Sequence, residues 1–210
     1  MNTLKVVGLG PGHKDYILPI TMKIIENSDI LIGGKRHIES VGIKDKETYE
    51  IEGKLMELPT FIREHIKTRK MTVVVSGDTG FYSLLRFLKK KLPHITIEAT
   101  PGISSMQYLF SKSGLAWDDA FIGSVHGRDL DYVKLCSEYT KLGMLTDQIN
   151  TPQNIANVLI EKGVKNKQMI IGEHLSYADE RVRRMSLEDV LKLEYHELNV
   201  IIIVDKGVTY

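Results

Sequence analysis

One cysteine, Cys136, occurs in the whole chain, so no intramolecular disulfide can form and no cysteine-rich metal site can be built. The charges nearly cancel, at a formal +1, which argues against bulk attraction to nucleic acid or to a membrane surface. No apolar run approaches the 18 residues of a membrane-spanning helix, and the opening "MNTLKVVGLG" lacks the pattern of a secretory signal. A cytoplasmic protein is expected. The seven histidines are scattered without ligand-like spacing, so no protein-bound metal is expected. No Ser/His/Asp or Cys/His grouping suggests covalent catalysis, and Cys136 reads as a packed side chain rather than a nucleophile.

What remains is an alternation of strand-like and helix-like segments. Short β-branched runs, "TLKVVGL" (3–9), "ILIGG" (30–34), "MTVVVSG" (71–77) and "ITIEA" (95–99), alternate with helical patterns at 18–29, 55–67, 81–92 and 103–114. "AFIGSV" (120–125), "KLGMLT" (141–146), "QMIIGEH" (168–174) and "LNVIIIVD" (198–205) continue the strands. "TPQNIANVLIEKG" carries Thr151 as a cap, Pro152 at the first helical position and Gly163 past the end. "SLEDVLKL" is a shorter helix capped by Ser186. This order predicts an α/β protein. A seam at "SGLAWDD" (113–119) divides it into domains 1–115 and 116–210, each large enough for its own core.

"KVVGLGPGHKDY" (5–16) raises the question of a dinucleotide loop. Gly8 and Gly10 fit a G-x-G-x-x-G pattern, but His13 stands where the third glycine belongs. Pro11 removes an N–H that a phosphate would want, and the next helix begins only near Pro19. No Gly-Lys-Ser/Thr follows either. The loop reads as a strand-end turn with little side-chain bulk, able to let a flat ligand approach the backbone. "VVVSGDTGFYSLL" (73–85) repeats the form, with Asp78 at a strand end where it can contact a ligand or cap the next helix. "ATPGISSMQYLFSKSG" (99–114) is a third strand, turn and helix.

In this order and spacing, "VGLGPG", "SGDTGFY" and "TPGISS" resemble the motifs of the tetrapyrrole methylase family. "GGKRHIES" (33–40), "LAWDDAFIGSVHGRD" (115–129), "MLTDQINTPQNIANVLIEKG" (144–163) and "IGEHLSYADERV" (171–182) resemble the branch that methylates ring carbon 5 of a cobalamin precursor. The resemblance spans essentially the whole chain. It departs at Thr79, where many members carry proline, and at Leu18-Pro19, which replaces Leu-Thr.

The resemblance implies the class III methyltransferase fold, two α/β domains with an active cleft between them, and commonly a homodimer. It implies S-adenosylmethionine as methyl donor. Donor contacts would fall on Leu9, Gly77, Asp78, Phe81, Ser104, Ser105, Leu145, Thr146, His174 and Leu175. An anionic tetrapyrrole would meet Gly10, Pro11, Gly12, Arg36, His126 and Arg128, arginine being suited to bidentate pairing with its carboxylates. A second basic cluster, Arg181, Arg183 and Arg184, reads rather as a solvated loop or surface ion pair. If a proton must leave after methylation, Asp78, His126 and Asp147 are the candidate bases; Asp78 and His126 head the catalytic list. The carbon-15 methylation and decarboxylation, fused in some relatives, would belong to a separate subunit. A methylase of this fold acting on another precorrin carbon or on diphthine remains open, as does a nucleotide-binding regulatory module.

Overall fold

The computed structural model describes residues 3–43, 45–194 and 198–208. The chain forms two compact units, one ending at Ser104 and the other starting at Ser105, each around a five-stranded sheet.

In the first unit, β1 (Leu4–Gly8), β2 (Ile30–Gly33), β3 (Glu47–Glu50), β4 (Met71–Val75) and β5 (Ile97–Thr100) lie in the order β3-β2-β4-β1-β5. Every pairing is parallel. The side-chain period of two sorts the strands onto two buried faces. Leu4, Val6, Ile30, Ile32, Met71 and Val73 face α3 (Leu58–His65) and α4 (Leu85–Lys91), meeting Leu58, Ile62 and Leu88. Val7, Leu31 and Val74 face α1 (Pro19–Glu26) and α2 (Lys35–Val41), meeting Ile25, Ile38 and Val41. Burial on both faces is why β4 reads as the continuous run "MTVVV".

The second unit comprises α5 (Ser105–Lys112), β6 (Phe121–Ser124), α6 (Tyr132–Glu138), β7 (Lys141–Leu145), α7 (Pro152–Glu161), β8 (Lys167–Glu173), β9 (Arg181–Ser186), α8 (Leu187–Val190) and β10 (Asn199–Asp205). Its order is β6-β7-β10-β8-β9. β6 and β7 pair in parallel, and the remaining pairs are antiparallel. α7 and α8 bury Ile155, Leu159, Leu187 and Val190 on one face of the sheet. α5 packs against β7 and β10. Gly143 of β7 makes this approach possible, because a Cβ there would stand 2.6 Å from Met106 Sδ and 2.9 Å from a Phe110 ring carbon.

The predicted caps are present. Thr151 accepts from Asn154 N, Ser186 accepts from Asp189 N, and Gly163 takes a left-handed φ of 72°. Three features differ from the sequence reading. The predicted seam at 113–119 lies after α5, whereas the compact units divide between Ser104 and Ser105, because α5 packs on the second sheet. The helix expected from Phe81 starts at Leu85, since Tyr82 takes φ 50° and breaks the first turn. β3, β9, α2 and α6 were not anticipated. "ETYE" and "RVRRMS" form edge strands with mostly solvated side chains, so they lack the apolar alternation that announces a strand.

Candidate active site

In the first unit the three glycine-bearing motifs meet at the C-terminal ends of β1, β4 and β5. β1 continues as Leu9, whose N–H donates to the Val75 carbonyl at 2.9 Å. Gly10 and Gly77 then exchange backbone hydrogen bonds, 3.2 Å from Gly10 N to Gly77 O and 2.8 Å in return. This exchange closes the gap between β1 and β4 where a doubly wound sheet would hold a pyrophosphate. α1 begins 11 residues after Gly8, too far along the chain to aim its N-terminus at that gap. The loop after β1 is therefore not a phosphate cradle. Gly10 and Gly77 adopt φ of 82° and 63°, which side chains rarely take. A Cβ on Gly8 would lie 2.5 Å from the Gly77 carbonyl oxygen, and one on Gly102 would strike the same oxygen.

Asp78 ties the second motif to the third. Its Oδ1 accepts from Gly80 N at 2.7 Å and its Oδ2 from Gly102 N at 3.1 Å. Thr79, the departure from proline, is buried, and its carbonyl accepts the Ser83 hydroxyl. Phe81 is half-buried and meets the exposed Tyr82 edge-on at 4.9 Å. Ser104 is buried. Arg36 lies exposed in the first turn of α2; beside it, burial and then the Arg36 charge lower the pKa of His37. Pro11 and Gly12 are half-buried.

In the second unit the candidates gather where β6, β7 and β8 end and β10 begins. His126 Nδ1 lies 3.2 Å from the Thr146 carbonyl oxygen. An oxygen of that kind only accepts, so Nδ1 carries the hydrogen and, in the neutral ring, Nε2 keeps its lone pair. The buried Thr146 hydroxyl is held by Asn199 at 2.7 Å to the carbonyl and 2.8 Å to Oδ1. Leu145 precedes it, half-buried. Asp147 is already fully engaged as an acceptor, from Asn150 N at 2.6 Å, Gly127 N at 2.9 Å and Ile149 N at 2.9 Å. The Asn150 and Gly127 amides hold its carboxyl down at about 2, so it is no base at neutral pH. It shapes the turn that carries His126.

His174 takes φ 45° and its Nδ1 meets Asp179 Oδ2 at 2.7 Å. Leu175 is buried over Gly172. The cluster Arg181, Arg183 and Arg184 splits. Arg183 pairs with the fully buried Glu173, and Arg184 binds Gln168 at 3.0 Å and the Val208 carbonyl at 2.9 Å, so both hold the sheet edge. Arg181 and Arg128 are exposed. Cys136 is buried in α6, and burial pushes its thiol up to about 11, which leaves no thiolate.

Sequence reasoning missed Glu173, Asn199 and Glu180. A charge ending the apolar run "MIIGE" was the available signal for Glu173, with "RVRR" ten residues on as its partner strand. Nothing in the sequence marked Asn199. Among the described residues no helix is long and apolar enough to cross a membrane.

Comparison with known proteins bears on this arrangement. The family model for Tetrapyrrole (Corrin/Porphyrin) Methylases matches residues 3–191. The chain is 30% identical over 203 residues to the cobalt-precorrin-7 C(5)-methyltransferase of Salmonella typhimurium, covering 97% of this chain and 99% of that protein. It is 31% identical over 199 residues to a Methanocaldococcus jannaschii protein named "Probable cobalt-precorrin-7 C(5)-methyltransferase", covering 93% and 94%. The crystal structure of the precorrin-6Y methylase of cobalamin biosynthesis from Archaeoglobus fulgidus superposes with a TM-score of 0.74 at 21% identity, over 98% of this chain and 99% of that one.

Proposed function

Since this chain belongs to the tetrapyrrole methylase family and is a methyltransferase, we propose that it methylates carbon 5 of a cobalt-precorrin ring with S-adenosylmethionine. The observation that carries the reading is end-to-end similarity to relatives named for that reaction, at 97% of this chain and 99% of the first.

When bound, the donor supplies an electrophilic methyl group on a sulfonium cation. The residues we assign to it fit a cation. Leu9, Gly77, Asp78, Phe81, Ser104 and Ser105 in the first stretch, and Leu145, Thr146, His174 and Leu175 in the second, include one carboxylate and no lysine or arginine. Asp78 acts through the loops: with both oxygens on backbone amides, it fixes the spacing of the Gly77 and Gly102 turns. Thr146 is fixed through Asn199. Such preset geometry is what in-line transfer requires, and orientation of the reactants supplies roughly 7–11 kcal/mol of barrier reduction in well-aligned systems.

On the substrate side, the Gly10-Pro11-Gly12 turn presents backbone and a proline ring, surfaces a planar macrocycle can approach. Arg36 and Arg128 offer exposed guanidinium groups for its carboxylates. His126 is our assigned proton acceptor, at Nε2, with the Thr146 carbonyl fixing the tautomer. The remaining parts of the proposal are a homodimer in a reducing cytoplasm, and a carbon-15 methyltransferase subunit as partner, since a Sinorhizobium relative, 29% identical over 200 residues and covered to 48%, is named "Precorrin-6Y C(5,15)-methyltransferase [decarboxylating]".

The test is turnover of purified cobalt-precorrin-7 with a carbon-13-labelled methyl donor. NMR is expected to place the label on carbon 5; a label elsewhere, or none, sinks the assignment. His126→Gln should lower kcat by about a hundredfold while leaving donor binding unchanged.

A further inference from the structure

The loop from His174 to Glu180 leaves β8 through two non-glycine residues in the left-handed region, His174 at φ 45° and Ser176 at φ 69°. Backbone of this kind persists only where the surroundings over-determine it, and it concentrates at functional positions. For Ser176 the surroundings are explicit. Its N–H donates to Glu180 Oε2 at 2.6 Å. The other Glu180 oxygen lies 3.0 Å from Lys112 Nζ, and the Tyr108 hydroxyl hydrogen-bonds to the same carboxylate. Lys112 Nζ also lies 5.4 Å from the centre of the Tyr108 ring. Burial pushes the Glu180 carboxyl upward, but the hydrogen bonds from Ser176, Tyr108 and Lys112 outweigh it, and the group stays ionised at neutral pH.

Tyr108 and Lys112 are three and seven residues beyond Ser105, so all three lie on one face of α5. Leu175, between the two strained residues, sits with Leu109 of that helix over the bare backbone of Gly172. One carboxylate thus joins the bend bearing His174 and Leu175 to the helix that opens at Ser105.

We propose that Glu180 is a positioning residue for the methyl donor, clamping the His174–Leu175 bend to α5 so that both present one preset surface. The proposal rests on the donor assignment above, and its test separates the two. S-adenosylhomocysteine is titrated calorimetrically into the wild-type chain, Glu180→Ala, Glu180→Gln, Lys112→Met and the double variant Glu180→Ala/Lys112→Met. Glu180→Ala should weaken binding by roughly tenfold, through loss of charge-assisted hydrogen bonds. Glu180→Gln keeps an acceptor oxygen for Ser176 N but loses the charge opposite Lys112, and should lose only about threefold. The double variant should bind as Glu180→Ala does, since the two side chains act as one unit. In turnover, KM for the donor should rise by the same factors, with kcat held within about twofold.

A purely structural role would lower the melting midpoint and leave the donor KM unmoved. That result overturns the proposal while the donor assignment stands. Wild-type protein that fails to bind S-adenosylhomocysteine overturns both. Should Glu180→Ala fail to fold, Glu180→Gln and Tyr108→Phe decide by the same rule: a raised donor KM supports the clamp, and an unchanged one refutes it.

Discussion

The two units finish their sheet ends by opposite means. In the first, main chain meets main chain, and the Asp78 carboxylate adds a tie between two of the loops. Gly10 and Gly77 exchange hydrogen bonds, and Gly8 and Gly102 crowd the Gly77 carbonyl so closely that no side chain fits. In the second, carboxylates do the joining. Asp147 gathers the turn under His126, Glu173 holds Arg183 across the sheet edge, and Glu180 fastens a strained bend to α5. A backbone closure fails when an atom is added. A carboxylate closure fails when a charge is removed.

That contrast orders the expected effects. Glu173→Ala should cost most, about 3 kcal/mol, because it strands a partly buried guanidinium whose Nε already lacks a partner. Urea denaturation measures it, and a loss below 1 kcal/mol would remove Glu173 from the contrast. Gly102→Ala adds one methyl group and should cost roughly 2 kcal/mol, since the Gly77 carbonyl must move. The same variant should weaken S-adenosylhomocysteine binding, and calorimetry that finds wild-type affinity would show that the loop is not part of the donor site.

Asp78→Asn is intermediate. It keeps one acceptor oxygen for two amides, so donor affinity should fall by about tenfold with the fold intact by circular dichroism. Asp147→Asn should be mildest, about 1 kcal/mol at pH 7, in line with other side-chain caps. Here pH sharpens the test. The Asp147 carboxyl sits at about 2 in the folded chain against 3.8 without its partners. Its contribution is present above about pH 4 and is lost as pH falls toward 2. The stability gap between wild type and Asp147→Asn should therefore narrow over that interval. A constant gap would mean that the Asn150 and Gly127 contacts do not set the ionisation of Asp147.

Much of the fold was legible because local signals and tertiary packing agree. Thr151, Pro152 and Gly163 bound α7 as their conformations dictate, and "TVVV" reads as a strand buried on two faces. The glycines and strand ends that make up the candidate site were legible, but the partners of its side chains were not. Asp78, His126 and Asp147 were all candidate bases until their partners were known. Asp147 then proved saturated with amide donors, Asp78 proved a tie between loops, and His126 kept an open Nε2. Arg183 looked like any surface arginine until a buried glutamate stood opposite it.

The sequence alone determined the α/β alternation, the caps and the rejection of a phosphate loop. Each depends on residues near one another in the chain: Pro11 lacks an N–H, His13 replaces a glycine, and the helix starts late. Only the tertiary structure decided which sheet α5 joins, which carboxylates hold loops together and which imidazole nitrogen keeps its lone pair. Those outcomes depend on partners tens of residues away, such as Gly143 beneath α5, Gly102 beside Asp78 and Thr146 beside His126. No local pattern encodes such a partner, because packing and hydrogen bonding act between surfaces that only folding brings together.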